Sequence, residues 1–326
     1  MCLSAGIASA AIDGTVVNAT TRKPQASIGI NLVQPSQAGM QKLAATTTDA
    51  QGKFSFAQPA EAGPMLLQVI YKGVDYNHLL TPGAPTTGVD VDIYDVSSAA
   101  GEAKVARDMI LLEPSATEVS VDETVLYQNA GKTTYSDPAH GTFRFYLPEA
   151  AGGKVLVNAT GLQGMALRQQ AEKTREPNVY KVNFPLKPGE TRFDVTYTVP
   201  ATGKFSSKIL HKEGATNLVA PRGVTLTGDA ITALGQEPST QATVYGIKGD
   251  EYTISIQGMG TLRNAQPAPG DDNGPPPIQS EPPKLYDQLY WILALTGAIL
   301  ALGFALLYRG KELKPGARTE PSKQRK

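Results

Sequence analysis

Three histidines, His78, His140 and His211, are the imidazoles of this 326-residue chain, and Cys2 is its one thiol. A hydrolytic zinc centre needs a close ligand pair such as His-x-x-Glu plus a later third ligand. Thr81, Phe143 and Gly214 stand three positions after the histidines, so that pair is missing. The chain also lacks a Gly-x-Ser-x-Gly nucleophile elbow, a phosphate loop and a dinucleotide fingerprint. These residues predict a protein that is not an enzyme and carries no cofactor. One cysteine cannot form an internal disulfide.

Two other groups have binding chemistry. Tyr76 and His78, with Tyr71, Tyr94, Asp75 and Asn77 nearby in sequence, would suit a sugar: a ring face to stack on and polar groups to meet its hydroxyls. Tyr76 and His78 are the candidate ligand-binding residues, against a reading of the same stretch as strand and loop. Asp90, Asp92 and Asp95 in GVDVDIYDV could share a calcium ion, since alternation places the first two on one strand face. The stretch has no turn-forming glycine between those carboxylates, which favours an exposed acidic strand face that discourages edge pairing.

Charge sorts the chain into compartments. Lys plus Arg and Asp plus Glu are equal at 30 each, yet Arg309–Lys326 holds seven basic and two acidic residues. The rest is correspondingly acidic. Between the two lies an uncharged stretch, Gln288–Tyr308 (QLYWILALTGAILALGFALLY). About 20 helical residues cover a hydrocarbon core of about 30 Å, so 288–308 is expected to be a transmembrane helix. Tyr290, Trp291 and Tyr308 sit where amphipathic rings favour the headgroup region, and Arg309 and Lys311 open the basic run. Basic residues collect on the cytoplasmic side. Residues 309–326 are therefore expected inside, and everything before the helix outside. The tail could also hold anionic lipids.

The remaining segments follow from composition. Residues 1–10 end in Ala8-Ser9-Ala10, a small-x-small pattern of the kind signal peptidase reads, and are expected to be the remnant of a signal peptide. Residues 265–287 are rich in proline and lack apolar runs, and are expected to form an extended stalk.

Upstream of the stalk the pattern is β throughout. Short apolar or alternating runs such as Lys53–Phe56, Leu66–Tyr71, Val119–Tyr127 and Arg192–Val199 are separated by Gly, Pro, Asn and Asp turns. No useful helical period precedes the membrane segment. The fold class is all-β: tandem β-sandwiches, then the proline-rich linker and one transmembrane α-helix.

Ile12-Asp13-Gly14-Thr15-Val16-Val17-Asn18, then Thr21, Pro24, Ile28 and Ile30, then Thr48-Asp49-Ala50-Gln51-Gly52-Lys53-Phe54-Ser55-Phe56, resembles the carboxypeptidase regulatory-like domain. Gly14 is expected to let the first strand bend, and Asp49–Gly52 to form a tight turn before Phe54 and Phe56 enter the core. The resemblance covers residues 11–114. It implies a transthyretin-like (prealbumin-type) sandwich of the carbohydrate-binding-like class. It implies no peptidase activity, because peptidases with this domain keep their metal in a separate catalytic domain. Residues 115–200, with Phe184–Val195 around a Pro-Gly turn, have an immunoglobulin-like form. Residues 201–264 are a third β domain or a continuation of the second.

The sequence thus predicts a single-pass cell-envelope protein, periplasmic or surface-exposed and of bacterial type, that acts as a protein-binding or scaffold module. Its expected partners are the lipid bilayer and an envelope protein, with no nucleic acid. A cell-wall polysaccharide binder, or an accessory subunit of a membrane transporter or enzyme, are the alternatives.

Overall fold

Strand β1 (Ile12–Asn18) alternates inward Ile12, Gly14 and Val16 with outward Asp13, Thr15 and Val17, the period that buries one face of a strand. In the computed structural model, which describes residues 12–36, 39–57, 63–162, 164 and 166–262, this strand begins an all-β body. Next come β2 (Lys23–Pro24), β3 (Gly29–Ser36), β4 (Gly39–Thr47) and β5 (Lys53–Phe56). Then follow β6 (Met65–Tyr71), β7 (Val74–Leu80) and β8 (Val89–Ile93). One sheet is built on β1, with antiparallel β2 and β5 along one edge and parallel β8 along the other. The facing sheet is antiparallel, in the order β4-β3-β6-β7. Ile12, Val16, Phe54 and Phe56 meet Ile30, Leu32, Leu67 and Val69 in the core between them.

Gly14 has a spatial role at the pairing of β1 with β8. Its backbone is ordinary strand; the constraint is space. A Cβ there would stand 1.8 Å from the Val89 carbonyl oxygen and 2.8 Å from the Phe54 ring. The residue lets β1 and β8 close on each other. The turn after Thr48 is as expected: Gly52 N–H donates to Asp49 O, and the Asp49 carboxylate accepts from the N–H groups of Gln51 and Lys53.

The second region starts with β9 (Val96–Ser97), β10 (Ala103–Pro114), β11 (Glu118–Asn129), β12 (Thr134–Tyr135) and β13 (Phe143–Tyr146). A 3-10 turn at Glu149–Ala151 precedes β14 (Leu156–Thr160), β15 (Ala166–Gln169), β16 (Glu172–Lys173), β17 (Val179–Val182) and β18 (Gly189–Pro200). The body ends with β19 (Lys204–Lys208), β20 (Ala215–Ala220), β21 (Thr225–Thr227), β22 (Ile231–Gln236), β23 (Thr243–Ile247) and β24 (Glu251–Gln257). No α-helix occurs among the described residues.

Eight of these strands make one sheet in the order β15-β14-β18-β11-β10-β20-β23-β22. Every neighbouring pair is antiparallel except β10 and β20. Two three-stranded sheets, β13-β17-β16 and β19-β24-β21, share its hydrophobic core. Phe143 of β13 stacks on Phe193 of β18 at 4.4 Å between ring centroids, and Tyr127 meets Phe193 edge-on at 5.8 Å. Such ring pairs add roughly 0.5–1.5 kcal/mol each to their area burial. Position 114/115 lies at a hairpin turn between β10 and β11, and the large sheet draws strands from both sides of Pro200–Gly203.

Candidate functional site

Tyr76 points into a polar joint between the two regions. It is 3% exposed; its hydroxyl donates to Tyr94 O at 3.0 Å and meets Thr134 Oγ1 at 2.9 Å. Lys187 Nζ stands 5.0 Å from the Tyr76 ring and donates to the Asp75 carbonyl. The stacking platform read from the sequence is therefore corrected: Tyr76 has no free ring face, and its hydroxyl is used. Burial raises that hydroxyl's pKa above 10. His78 lies two residues on in β7, half-buried and opposite Leu67.

The three aspartates of the calcium reading are separated. Asp90 and Asp92 lie on the exposed side of β8, while Asp95 belongs to the joint. Its Oδ1 accepts from Lys72 Nζ at 3.0 Å, Tyr71 Oη at 3.1 Å and Asn18 Nδ2 at 3.3 Å. The Lys72 hydrogen bond, opposed by some burial and helped by Asn18 and Tyr71, lowers the Asp95 pKa. Asp95 O also accepts from Thr134 N, and β9 pairs with β12 in parallel, so the joint is part of the backbone scaffold. No set of three or more His, Cys, Asp or Glu side chains among the described residues is placed to hold a metal ion.

A second polar cluster is buried in the large region, among residues whose types and spacing carry no sign of it. β10 turns Asp108, Ile110 and Leu112 toward the core, and β11 turns Val121, Glu123 and Val125 to the same side in direct register. Two carboxylates thus lie on the inner face of a sheet. Asp108 is 2% exposed; its Oδ2 meets His211 Nε2 at 2.9 Å and accepts from Thr216 Oγ1 at 3.0 Å. Its Oδ1 is buried without a hydrogen-bond partner among the described residues. Tyr197, Ser207 and Tyr252 are buried too, and the phenol groups of Tyr197 and Tyr252 feel the charges of Glu123 and Asp108. The Tyr252 hydroxyl stands near Ser207 without the geometry of a full hydrogen bond.

This cluster is not a nucleophile triad. In a triad the base presents one nitrogen to the hydroxyl and the other to the carboxylate. Here Thr216 Oγ1 and Asp108 Oδ2 both lie at His211 Nε2, and His211 Nδ1 faces the Glu213 carbonyl at 2.7 Å. With the Thr216 hydroxyl and the Asp108 carboxylate at one nitrogen, the ring is not placed to relay a proton from one to the other.

Glu123 makes a testable pH dependence. The residue keeps some surface, but its carboxyl is deeply surrounded, and burial followed by the charge of Asp108 raises its pKa well above 4.5. The folded chain therefore keeps a proton that the unfolded chain has released. Stability from this group is complete below about pH 4.5 and is lost as pH rises through the folded-state value. Glu123→Gln keeps the shape and removes that loss. The variant is expected to match the wild type in thermal midpoint near pH 4.5 and exceed it by several degrees near pH 8. An equal difference at both pH values would rule Glu123 out as the titrating group.

An open groove of about 650 Å³ lies elsewhere, lined by Asp13, Thr15, Thr47, Asp49, Lys53 and Ser55, among others, of the first sandwich. The predicted interface residues Tyr290, Trp291, Tyr308, Arg309 and Lys311 lie outside the described residues. No helix among the described residues is long and apolar enough to cross a membrane.

The class this geometry defines is an all-β protein of sandwiched sheets. No protein-family model and no curated protein matches the chain. Among solved structures it is similar to an M1 zinc metallopeptidase from Deinococcus radiodurans at 12% identity and TM-score 0.24, over 47% of this chain and 42% of that one. It is also similar to leukotriene A4 hydrolase from Saccharomyces cerevisiae at 9% identity and TM-score 0.29, over 49% and 30%. The chain thus spans less than half the length of either, and at these scores the likeness carries no argument.

Proposed function

We propose that this is a membrane-anchored cell-envelope protein whose β-sandwich body lies outside the cytoplasm and acts as a protein-binding or scaffold module. The observation that carries the reading is the outer face of the eight-stranded sheet. Register places Leu156, Thr196, Asp122, Leu111 and Val244 in one outward row, with Val219 on the same side but buried between Leu111 and Val244. Met109 is exposed beside it, and Leu234, 64% exposed, lies over Gly246. A broad sheet face with an apolar centre and a rim of Thr, Asp and Arg side chains suits a protein partner. The hydrogen-bonded joint around Asp95 and Tyr76 supports presentation of that face on a stiff body. The uncharged Gln288–Tyr308 stretch and the basic run after it support the anchor and its orientation. In this reading the sandwich of β1 to β8 is carboxypeptidase regulatory-like, and the sheets that follow, which take β10 out of the 11–114 span, are immunoglobulin-like.

Photocrosslinking residues placed singly at Met109 and Leu234 in the full chain, in cells, test this. The expected result is one protein adduct shared by both positions and lost with a second substitution, Leu111→Asp, that leaves the thermal midpoint unchanged. Adducts to glycan alone, or none from either position, would reject it. The groove around Asp13 and Asp49 favours a second reading, a binder of polyhydroxylated polymer, since hydroxyl, carboxylate and ammonium groups line it. Retention of the protein on cell-wall polymer, abolished by Asp49→Ala, would select that reading.

A further inference from the structure

The segment Ile209–Gly214 carries the chain from β19, in a small sheet, to β20, in the large one. It ends on Gly214, whose φ of +83° suits glycine and whose Cβ position lies 2.6 Å from the Val105 carbonyl oxygen. There β10 shifts register between Val105 and Arg107, and β20 begins its parallel pairing with Arg107 opposite Ala215 and Asp108 opposite Thr216. The bulge turns Asp108 inward just where the crossover arrives. His211 is the side chain that spans the gap, with Asp108 Oδ2 on Nε2 and Glu213 O on Nδ1.

Both ring nitrogens thus face acceptors. A neutral imidazole has one N–H, so it leaves either the carboxylate or the carbonyl facing a lone pair. The doubly protonated ring satisfies both. Thr216 adds its hydroxyl to the same carboxylate oxygen, tying the second residue of β20 into the contact.

We propose that His211, Asp108 and Thr216 form a proton-operated latch that fastens the crossover and the start of β20 to β10, and that releases them as His211 loses its proton. Asp108, the Glu213 carbonyl and Asp250 favour the charged ring, while the exposed cations Arg107 and Lys212 flank the latch in sequence and the remaining groups lie around Asp108. β10 brings Asp108; β11 brings Glu123 and Tyr127; β18 and β24 bring Tyr197 and Tyr252; the loops bring Glu213 and Asp250. Burial acts against the imidazolium, but the hydrogen bond and charge of Asp108, with the Glu213 carbonyl and Asp250, outweigh it and raise the His211 pKa above 6.5. The latch is therefore closed below about pH 6.5 and opens as pH rises through the folded-state value.

Hydrogen exchange of the full chain between pH 5.5 and 8.5, corrected for intrinsic rates, reads the latch directly. The amides of residues 211–218 are expected to lose about tenfold protection across that range, the scale of one hydrogen bond to a charged group, while β6 and β18 hold theirs. His211→Gln should flatten this local step, and Glu123→Gln should leave it in place, which separates the latch from the general pH dependence of Glu123. The His211 ring proton resonances should titrate above pH 6.5 in the wild type and lower in Asp108→Asn. Constant protection of 211–218 across the range, or a step that persists in His211→Gln, would overturn the proposal.

Discussion

Replacing Gly14 with alanine is expected to cost about 3 kcal/mol or more, at the upper end of the overpacking range, and to lower the thermal midpoint by roughly 6–12 °C. The added methyl would overlap the Val89 carbonyl, a backbone atom, and press on the Phe54 ring. Rotating a side chain cannot relieve the first contact. β1 and β8 would have to separate along their pairing from Gly14–Val89 to Asn18–Ile93, and that pairing closes one edge of the first sandwich. Gly29→Ala is the control, because its Cβ position has open space and its backbone is not left-handed. Thermal unfolding of both variants measures the difference. A Gly14→Ala midpoint within about 2 °C of Gly29→Ala would show that the strands part freely, contrary to the structure.

Asp108→Ala is expected to destabilise the protein by roughly 3–5 kcal/mol near pH 6, the range for removing one partner of a buried ion pair. It strands the His211 imidazolium and the Thr216 hydroxyl inside the large region. The loss should shrink near pH 8 for two reasons. His211 is then less charged, and removing Asp108 frees Glu123 from a nearby negative charge. Chemical denaturation at both pH values checks it. A shift under about 1 kcal/mol at pH 6 would mean that solvent already screens the pair.

Much of the fold was legible because alternation survives in strands with one wet face. Lys53–Phe56 was read to the residue, and the runs at 66–71, 119–127 and 192–199 lie within β6, β11 and β18. Strands without that pattern were missed. β4 is exposed over most of its length and reads as Gly39-Met40-Gln41-Lys42, while β7 interrupts its alternation with Asn77 and His78. β20, Ala215–Ala220, ends in three consecutive buried residues and shows no period of two. The Asp108 cluster was illegible for a related reason. The register shift at Val105/Arg107 moves Asp108 from the solvent phase of β10 to the core phase, and a bulge has no signature in residue types. Tyr76 illustrates the converse: the residue was visible, but only the path of β9 and β12 shows that another part of the chain covers it.

The parallel pairing of β10 with β20 has a consequence for how the body forms. The Asp108–Thr216 contact spans 108 residues, whereas β10 and β11 close through a short turn. Loop entropy and high contact order make the long-range step slow and late. In a chain that emerges N-terminus first, one edge of β10 therefore stays open until residues 215–220 arrive, with Leu111 and the buried carboxylate both uncovered. That interval, more than any feature of the finished molecule, is when this protein is most open to joining a neighbour strand to strand.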